Sequence, residues 1–170
     1  MIRGIHRIRV ILSGMRIYLV RHGDAVPEED AGSDRDRWLS EKGREHARVL
    51  GRLLREQRVE PDVILSSPLP RAVQTAELLV AAFETEIPVE VIPELAPDGA
   101  VRDLVAMVRQ LPAEATLVLV GHEPSLSAIG AVLVDGPDFE ALAKAQAARI
   151  DDCTVRWRFA WDAEAPQQIR

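Results

Sequence analysis

The sequence has a single cysteine, no long apolar run and no excess of positive charge. That cysteine, Cys153, excludes an internal disulfide and a cysteine-based metal cluster, which is typical of proteins of the reducing cytoplasm. No apolar run approaches the roughly 20 residues needed to cross a bilayer. The 21 Lys and Arg residues against 27 Asp and Glu give a formal charge of −6, which disfavours a broad nucleic-acid-binding surface. We therefore expect a cytoplasmic protein without a membrane or nucleic-acid partner, in which any anion site is local.

The length and composition indicate one globular domain with an appended N-terminal segment. The chain has 170 residues, of which 47% are hydrophobic and 28% charged. Residues 1–14 carry three arginines around a short apolar stretch at 8–12, which is shorter than the roughly 7 to 15 residues of a signal-peptide core. Met15 directly precedes a strand-like run. We therefore predict an extension of unknown role at 1–14, not a secretion signal, and a single domain at 15–170.

From Met15 onward, short β-type runs alternate with longer helix-type stretches, which is the pattern of βαβ units around a parallel sheet. We predict an α/β fold with a mostly parallel central sheet and helices on both faces, a three-layer α/β/α arrangement. The predicted strands are 16–20, 63–65, 89–92, 116–120 and 154–161. The predicted helices are 41–58 with Ser40 as its cap, 68–83, 98–111, 124–134 and 139–148.

Two of these elements carry predictions about burial. The strand at 154–161 alternates apolar and polar residues with a period of two, which favours an edge strand with one solvated face. Trp157 and Trp161 then face the core. On the helix at 41–58, we expect His46 to be exposed.

Polar clusters follow three of the predicted strands. Because ligands of open α/β sheets bind outside the carboxyl ends of the strands, we expect these clusters to meet at one crevice. The helices near Pro68 and Pro124 begin at the same edge and point backbone N–H groups toward it. Two arginines, whose donors match phosphate oxygens, predict a phosphate site there. The clusters are Arg21-His22-Gly23, Ser66-Ser67-Pro68 with Arg71, and Gly121-His122-Glu123.

Four segments of the chain resemble the histidine phosphatase superfamily. The run Leu19-Val20-Arg21-His22-Gly23 is similar to the family's signature, 67–76 to its second motif, 121–124 to its last motif, and 39–43 to a further family segment. Together they span residues 15 to about 136. The compact size and the start Arg21-His22-Gly23-Asp24-Ala25 look most like the SixA-type phosphohistidine phosphatase branch, since larger branches usually carry insertions. The resemblance implies a phosphoglycerate mutase-like fold and a phosphatase.

The resemblance also implies roles for the residues of the crevice. His22 would be the nucleophile, forming a phosphohistidine that water then hydrolyses, and a neutral imidazole suits that role near pH 7. Arg21, Arg71 and His122 would surround the phosphoryl oxygens and stabilise their charge in the transition state, with Gly23 beside them. No metal or other cofactor is expected, because a cation between two arginines would be repelled.

Two assignments have alternatives, namely the role of Ser67 and the identity of the general acid. Ser67 would either hydrogen-bond to the nucleophile or phosphate, or cap the helix that follows it. The general acid would be Glu123, directly after the second histidine, or Asp24, after the first motif. It would also be dispensable for a phosphohistidine substrate, because a leaving imidazole needs less proton donation than an alkoxide. Glu123 would then be a carboxylate that interacts with the helix dipole.

The expected activity is that of a metal-independent phosphatase acting on a phosphorylated protein, with a histidine-containing phosphotransfer domain as partner. A small phosphomonoester is the alternative substrate, and a non-catalytic phosphate-binding module is the alternative function. His22 argues against the binding module, since arginines and helix N-termini suffice to bind phosphate. The polar loop at 25–39 is long enough to be functional and is predicted to leave the crevice open, which favours a bulky protein substrate.

Overall fold

A computed structural model describes residues 14–169. Its centre is a seven-stranded sheet in the order β3-β2-β4-β1-β5-β6-β7. The four strands from β3 to β1 are parallel, and β5, β6 and β7 extend the sheet in antiparallel pairings. The strands are β1 Arg16–Arg21, β2 Val63–Ser66, β3 Val89–Val91, β4 Thr116–Gly121, β5 Gln146–Asp151, β6 Thr154–Ala160 and β7 Gln167–Gln168.

Five α-helices and two short 3₁₀ helices connect the strands in the described part of the chain. Ser40 caps the longest helix as predicted, because its Oγ accepts a hydrogen bond from the Gly43 N–H at 3.0 Å. None of the helices within 14–169 is long and apolar enough to span a membrane. The helices are α1 Glu28–Ala31, α2 Glu41–Glu56, α3 Pro70–Phe83, α4 Val101–Val108 and α5 Ser125–Leu133, with 3₁₀ turns at Asp34–Asp36 and Pro93–Leu95.

The sheet separates two apolar cores, which confirms the three-layer prediction. Successive residues of a strand point to opposite faces. Leu117 and Leu119 of β4 therefore pack on the side of α4 and α5, whereas Val118 and Val120 pack on the side of α2 and α3. Every residue of β4 is buried, because the strand lies between two parallel neighbours and under helices on both faces.

The predicted helix at 139–148 is wrong. Residues 138–145 are irregular, and Gln146–Asp151 form β5, which pairs with both β1 and β6. Alanine has a high helix propensity, but here its small side chain fits a strand buried on both faces. Ala147 contributes to the core on the α2 and α3 side and Ala148 to the core on the α4 and α5 side. Pairing with neighbouring strands overrides the local preference.

The C-terminal part of the sheet differs from the prediction in two details. The two-residue β7 pairs with Trp157 and Arg158, so β6 is next to the edge instead of forming it. Trp161 lies just beyond β6, and its ring stacks on His46 of α2 with centroids 3.4 Å apart. His46 is consequently buried and not exposed as predicted. Residues 1–13 lie outside the described part, so the N-terminal extension stays a prediction.

Candidate active site

The three polar clusters meet at the carboxyl ends of β2, β4 and β1, which are neighbours in the sheet. Arg21 is in register with Gly121 of β4. The pairing continues one residue further, since the His22 N–H donates to the Gly121 carbonyl at 3.1 Å and the Ser67 N–H to the Val120 carbonyl at 3.0 Å. The convergence predicted from the strand ends is therefore the arrangement of the folded chain.

The His22 ring is held as a neutral imidazole with one nitrogen available. Its Nδ1 lies 2.7 Å from the Gly23 carbonyl oxygen, and because a carbonyl only accepts, the ring proton is on Nδ1. The lone pair is then on Nε2. Burial lowers the pKa of His22 to about 4, and the charges of Arg71 and Arg21 act in the same direction against the opposing effect of the carbonyl hydrogen bond. A neutral ring with an unprotonated Nε2 is the form required of a nucleophile.

A threonine and a close backbone contact hold the peptide that orients His22. The Gly23 N–H donates to Thr75 Oγ1 at 3.1 Å, and Thr75 Oγ1 donates to the Arg71 carbonyl at 2.7 Å. A Cβ on Gly23 would lie 2.7 Å from the Gly43 carbonyl oxygen, so this approach requires glycine. Thr75 was missed as a site residue by the sequence analysis, although it lies in the second motif, one helical turn after Arg71.

His122 lies against His22, with the ring centroids 4.9 Å apart. Its Nε2 is 2.7 Å from Ser67 Oγ, and its buried Nδ1 has no hydrogen-bond partner among residues 14–169. Burial lowers the pKa of His122 to about 3, with His22 and Arg71 adding to the effect. Ser67 Oγ also accepts from the Leu69 N–H at 3.3 Å. Ser67 thus contacts the second histidine and not the nucleophile, and the N-cap position of α3 is Leu69, without a side-chain cap hydrogen bond. Neither contact is one of the two alternatives predicted for Ser67.

Arg71 is buried in the first turn of α3 and is contacted by a residue that the sequence analysis missed. Its Nη2 donates to Asp34 Oδ2 at 3.0 Å, and its Nη1 donates to the Asp34 backbone oxygen. Hydrogen bonding from Arg37 and the nearby charge of Arg71 hold the pKa of Asp34 below its usual value. Asp34 is in the 25–39 loop, which was predicted to leave the crevice open. The loop instead folds into α1 and a 3₁₀ turn, and its Asp34 reaches Arg71.

Arg21 is held by a backbone carbonyl group and not by a carboxylate. Its Nη1 donates to the Leu142 carbonyl at 2.8 Å. The Nε of Arg21 is buried, with no hydrogen-bond partner in the described part of the chain. Unlike Arg71, Arg21 makes no ion pair with a carboxylate within residues 14–169. Its positive charge is therefore not neutralised locally and is available to an anion.

Both candidate acids are engaged by protein donors. Glu123 Oε1 accepts from the Leu142 N–H at 2.8 Å, while its Oε2 accepts from the N–H and Oγ of Ser127 at 3.1 and 2.6 Å. The contact with Ser127, in the first turn of α5, is that of a helix-capping carboxylate. Asp24 accepts from Lys144 Nζ at 2.6 Å and Ser40 Oγ at 2.9 Å. Although burial opposes it, these hydrogen bonds keep the pKa of Asp24 below its usual value.

An open cavity of about 330 Å³ adjoins the site at Pro68, the residue after Ser67. Three carboxylates and one arginine contribute to its wall, together with apolar residues of the 93–100 segment. The Oε2 of Glu94 is buried there without a hydrogen-bond partner among the described residues. The charged residues of the wall are Arg35, Glu94, Asp98 and Asp103. The space beside the phosphate site is therefore predominantly acidic.

Comparisons with known proteins agree with this geometry. Residues 17–96 match the sequence model of the histidine phosphatase superfamily, branch 1. The chain is 35% identical to the phosphohistidine phosphatase SixA of Escherichia coli over 124 residues, which are 72% of this chain and 76% of that protein. It also matches phosphoglycerate mutase 1 of Saccharomyces cerevisiae, with 42% identity over 65 residues, but these cover only 37% of this chain and 26% of that protein.

The fold comparison leads to the same family. The structure of the protein histidine phosphatase SixA complexed with tungstate superimposes with a TM-score of 0.79 and 30% identity, covering 86% of this chain and 97% of that one. The match thus extends over nearly the whole of the related chain. The protein is a phosphatase and belongs to the SixA-type branch of the histidine phosphatase superfamily.

Proposed function

We propose that the protein hydrolyses phosphohistidine on a protein substrate through a covalent phosphohistidine formed at His22, without a metal ion. The observation that carries this proposal is the tautomer of His22. The Gly23 carbonyl fixes the proton on Nδ1 and leaves the lone pair on Nε2. The positive charges of Arg71 and Arg21 act on this ring, and the His122 ring lies beside it with the centroids 4.9 Å apart.

In the first step, His22 Nε2 attacks phosphorus as the phosphorus–nitrogen bond of the substrate breaks. The bonding pair stays with the substrate ring, which leaves as neutral imidazole when its other nitrogen carries a proton. In the second step, water attacks the phosphorus on His22. The bonding pair returns to Nε2, and the water proton leaves with phosphate or solvent. Arg21, Arg71 and His122 stabilise the charge on the phosphoryl oxygens in both steps.

The engaged carboxylates support a phosphohistidine substrate over an alkyl phosphate. Hydrolysis of an alkyl phosphate gains from an acid that protonates the leaving alkoxide. Glu123 and Asp24, the acids nominated from the sequence, both accept hydrogen bonds from structural partners. A leaving imidazole needs less proton donation than an alkoxide. The phosphohistidine phosphatase SixA of Escherichia coli, with 35% identity, supports the same substrate class, for which a histidine-containing phosphotransfer domain is the proposed partner.

The absence of a metal requirement is proposed from the charges of the site. Two arginines supply the positive charge that a divalent ion provides in other phosphoryl-transfer sites. They also repel such an ion. The bound tungstate in the related SixA structure is an oxyanion of the kind that these donors would hold.

The test uses a phosphotransfer domain labelled with ³²P on histidine and a panel of phosphomonoesters, each with and without EDTA. We expect rapid release of phosphate from the protein, slow release from the esters and no effect of the chelator. His22→Ala should abolish turnover and keep the fold, because the buried His22 ring belongs to neither of the two apolar cores. Rapid ester hydrolysis with an inert phosphoprotein would overturn the substrate assignment, and loss of activity in EDTA restored by one metal would overturn metal independence.

Denaturing the wild-type enzyme during turnover provides a second readout. The label should be recovered on His22 as an acid-labile, alkali-stable adduct. An active enzyme without this adduct under rapid quenching, or a His22→Ala variant of wild-type activity, would refute the covalent step.

A further inference from the structure

We propose that Glu123 is a positioning residue for Arg21 that acts through the backbone of Leu142. The inference rests on the proposed function, because it concerns how the phosphoryl-binding arginine is held. Glu123 accepts the Leu142 N–H at 2.8 Å, and the Leu142 carbonyl accepts from Arg21 Nη1 at 2.8 Å. The backbone of Leu142 therefore links the Glu123 carboxylate to the Arg21 side chain.

Arg21 depends on this contact. The bond to the Leu142 carbonyl is the single side-chain hydrogen bond of Arg21 among residues 14–169, and its Nε has no partner there. Arginine carries five N–H donors, so one bond leaves the others for phosphate oxygens. The direction in which they point follows from the position of the Leu142 oxygen.

The Leu142 backbone has no strand or helix to hold it. It lies in the irregular 138–145 segment, between α5 and β5. The side chains of Leu142 and Phe139 are buried in the core on the α4 and α5 side. The Phe139 ring packs so closely on α5 that a Cβ at Gly130 would lie 2.4 Å from it. These contacts anchor the segment. Glu123 holds the peptide group before Leu142. The next peptide group, whose Leu142 carbonyl faces Arg21, is also held by Gln146, because the Ala143 N–H donates to Gln146 Oε1 at 2.8 Å.

The same contacts argue that Glu123 does not donate a proton in the reaction. Oε1 and Oε2 together accept hydrogens from the Leu142 N–H and from the N–H and Oγ of Ser127, so both oxygens are occupied by structural donors. A general acid carries a proton and directs it to the leaving group. The contacts of Glu123 are therefore those of a residue that positions Arg21.

The test measures binding of inorganic phosphate by titration calorimetry, which requires no turnover. Glu123→Ala should weaken phosphate binding on the order of 10-fold, because the Leu142 carbonyl is no longer held against Arg21. Glu123→Gln keeps an oxygen for the Leu142 N–H and should stay within about 3-fold of wild type. Glu140→Gln is the matched control, because Glu140 lies two residues from Leu142, is 83% exposed and makes no contact with Arg21. It should bind phosphate as wild type does.

The decisive arm repeats the Glu123→Ala substitution in an Arg21→Met background. If Glu123 acts through Arg21, its removal should change phosphate affinity little in this background, since the side chain that it positions is gone. An equal loss in both backgrounds would overturn the proposal. So would a Glu123→Ala variant that folds, as shown by an unchanged circular dichroism spectrum, and binds phosphate like wild type.

Kinetics separate this role from acid catalysis and from failure of the proposed function. A positioning residue predicts that Glu123→Gln affects phosphohistidine and alkyl phosphates equally and slightly. An acid predicts a selective loss of roughly 100-fold to 10,000-fold for alkyl phosphates, and that result would overturn the proposal. If the wild-type enzyme does not hydrolyse phosphohistidine, the proposed function fails, but the phosphate-binding measurements still decide the role of Glu123.

Discussion

The two arginines of the site are held in opposite ways. Arg21 donates to a neutral backbone carbonyl on a segment anchored in the core. Arg71 donates to the carboxylate of Asp34, whose side chain is 51% exposed on a surface loop. A carbonyl fixes a guanidinium and leaves its charge in place, whereas a carboxylate neutralises that charge and competes with phosphate for the same donors. Arg21 is therefore ready to bind an anion, while Arg71 must exchange or share a partner.

This difference indicates that the contact between Arg71 and Asp34 controls how tightly the site binds phosphate. Arg71 is 5% exposed, so its guanidinium has little contact with water, and the Asp34 carboxylate satisfies donors that would otherwise be buried without acceptors. Asp34 lies in a 3₁₀ turn with no buried residue of its own. Elements of that kind move at low energetic cost. We therefore expect the exposed loop to be the side of the site that adjusts when phosphate binds.

The largest expected effect comes from removing either arginine. Arg21→Met and Arg71→Met should each lower kcat/KM for the phosphoprotein by about 100-fold to 1000-fold, because each removes a charged donor from the transition state. Methionine keeps much of the buried side-chain volume, so the melting temperature serves as the control for folding. Near-wild-type turnover of either variant would contradict the assignment of both arginines to the same phosphoryl group.

A smaller effect is expected from Asp34. Asp34→Ala should lower the inhibition constant of inorganic phosphate roughly 3-fold to 10-fold, because phosphate no longer competes with a carboxylate for Arg71. Asp30→Ala removes the same charge from α1 in the same loop and is the matched control. Steady-state inhibition of both variants measures the difference. Weaker inhibition by phosphate in Asp34→Ala would show instead that Asp34 orients Arg71 for binding.

Much of the site follows from the sequence because parallel strands bring their carboxyl ends to one edge. Arg21, His22, Ser67, Arg71 and His122 are all within three or four residues of a strand end or in the first turn of the next helix. The local pattern that identifies each strand therefore also places its polar residues. Helix ends were predicted less well, since 98–111 contains only Val101–Val108 as α-helix.

Contacts across long sequence separations were not predictable. Asp34 meets Arg71 across 37 residues, and Glu123 meets Leu142 across 19. Asp34, Glu123 and Leu142 all lie outside the α-helices and strands, so no sequence periodicity predicts these contacts. The alanines of 139–148 favour a helix in the sequence, whereas the structure of 138–145 depends on the buried side chains of Phe139 and Leu142, which tertiary packing decides.

The smallest expected effect is on the pKa values of His22 and His122, which the charges of Arg71 and Arg21 lower to different extents. Burial is the main cause of the low pKa of His22 and His122, and in both cases Arg71 contributes more than Arg21 does. Replacing a cation by a neutral side chain removes a repulsion against the imidazolium, so it raises the pKa. Arg71→Met should therefore raise the pKa of both histidines from about 4 and about 3, and by more than Arg21→Met does.

NMR titration of the histidine ring protons between pH 3 and 8 measures these shifts, with His22→Ala and His122→Ala used for assignment. Both pKa values should remain below the ordinary 6.5 in either variant, because the burial persists. His46 is the internal control. Its pKa is lowered mainly by burial and by Lys42, without a contribution from either arginine, so it should titrate alike in all three proteins. Equal shifts for the two substitutions, or a larger one for Arg21→Met, would contradict the stronger effect of Arg71 on the two histidines.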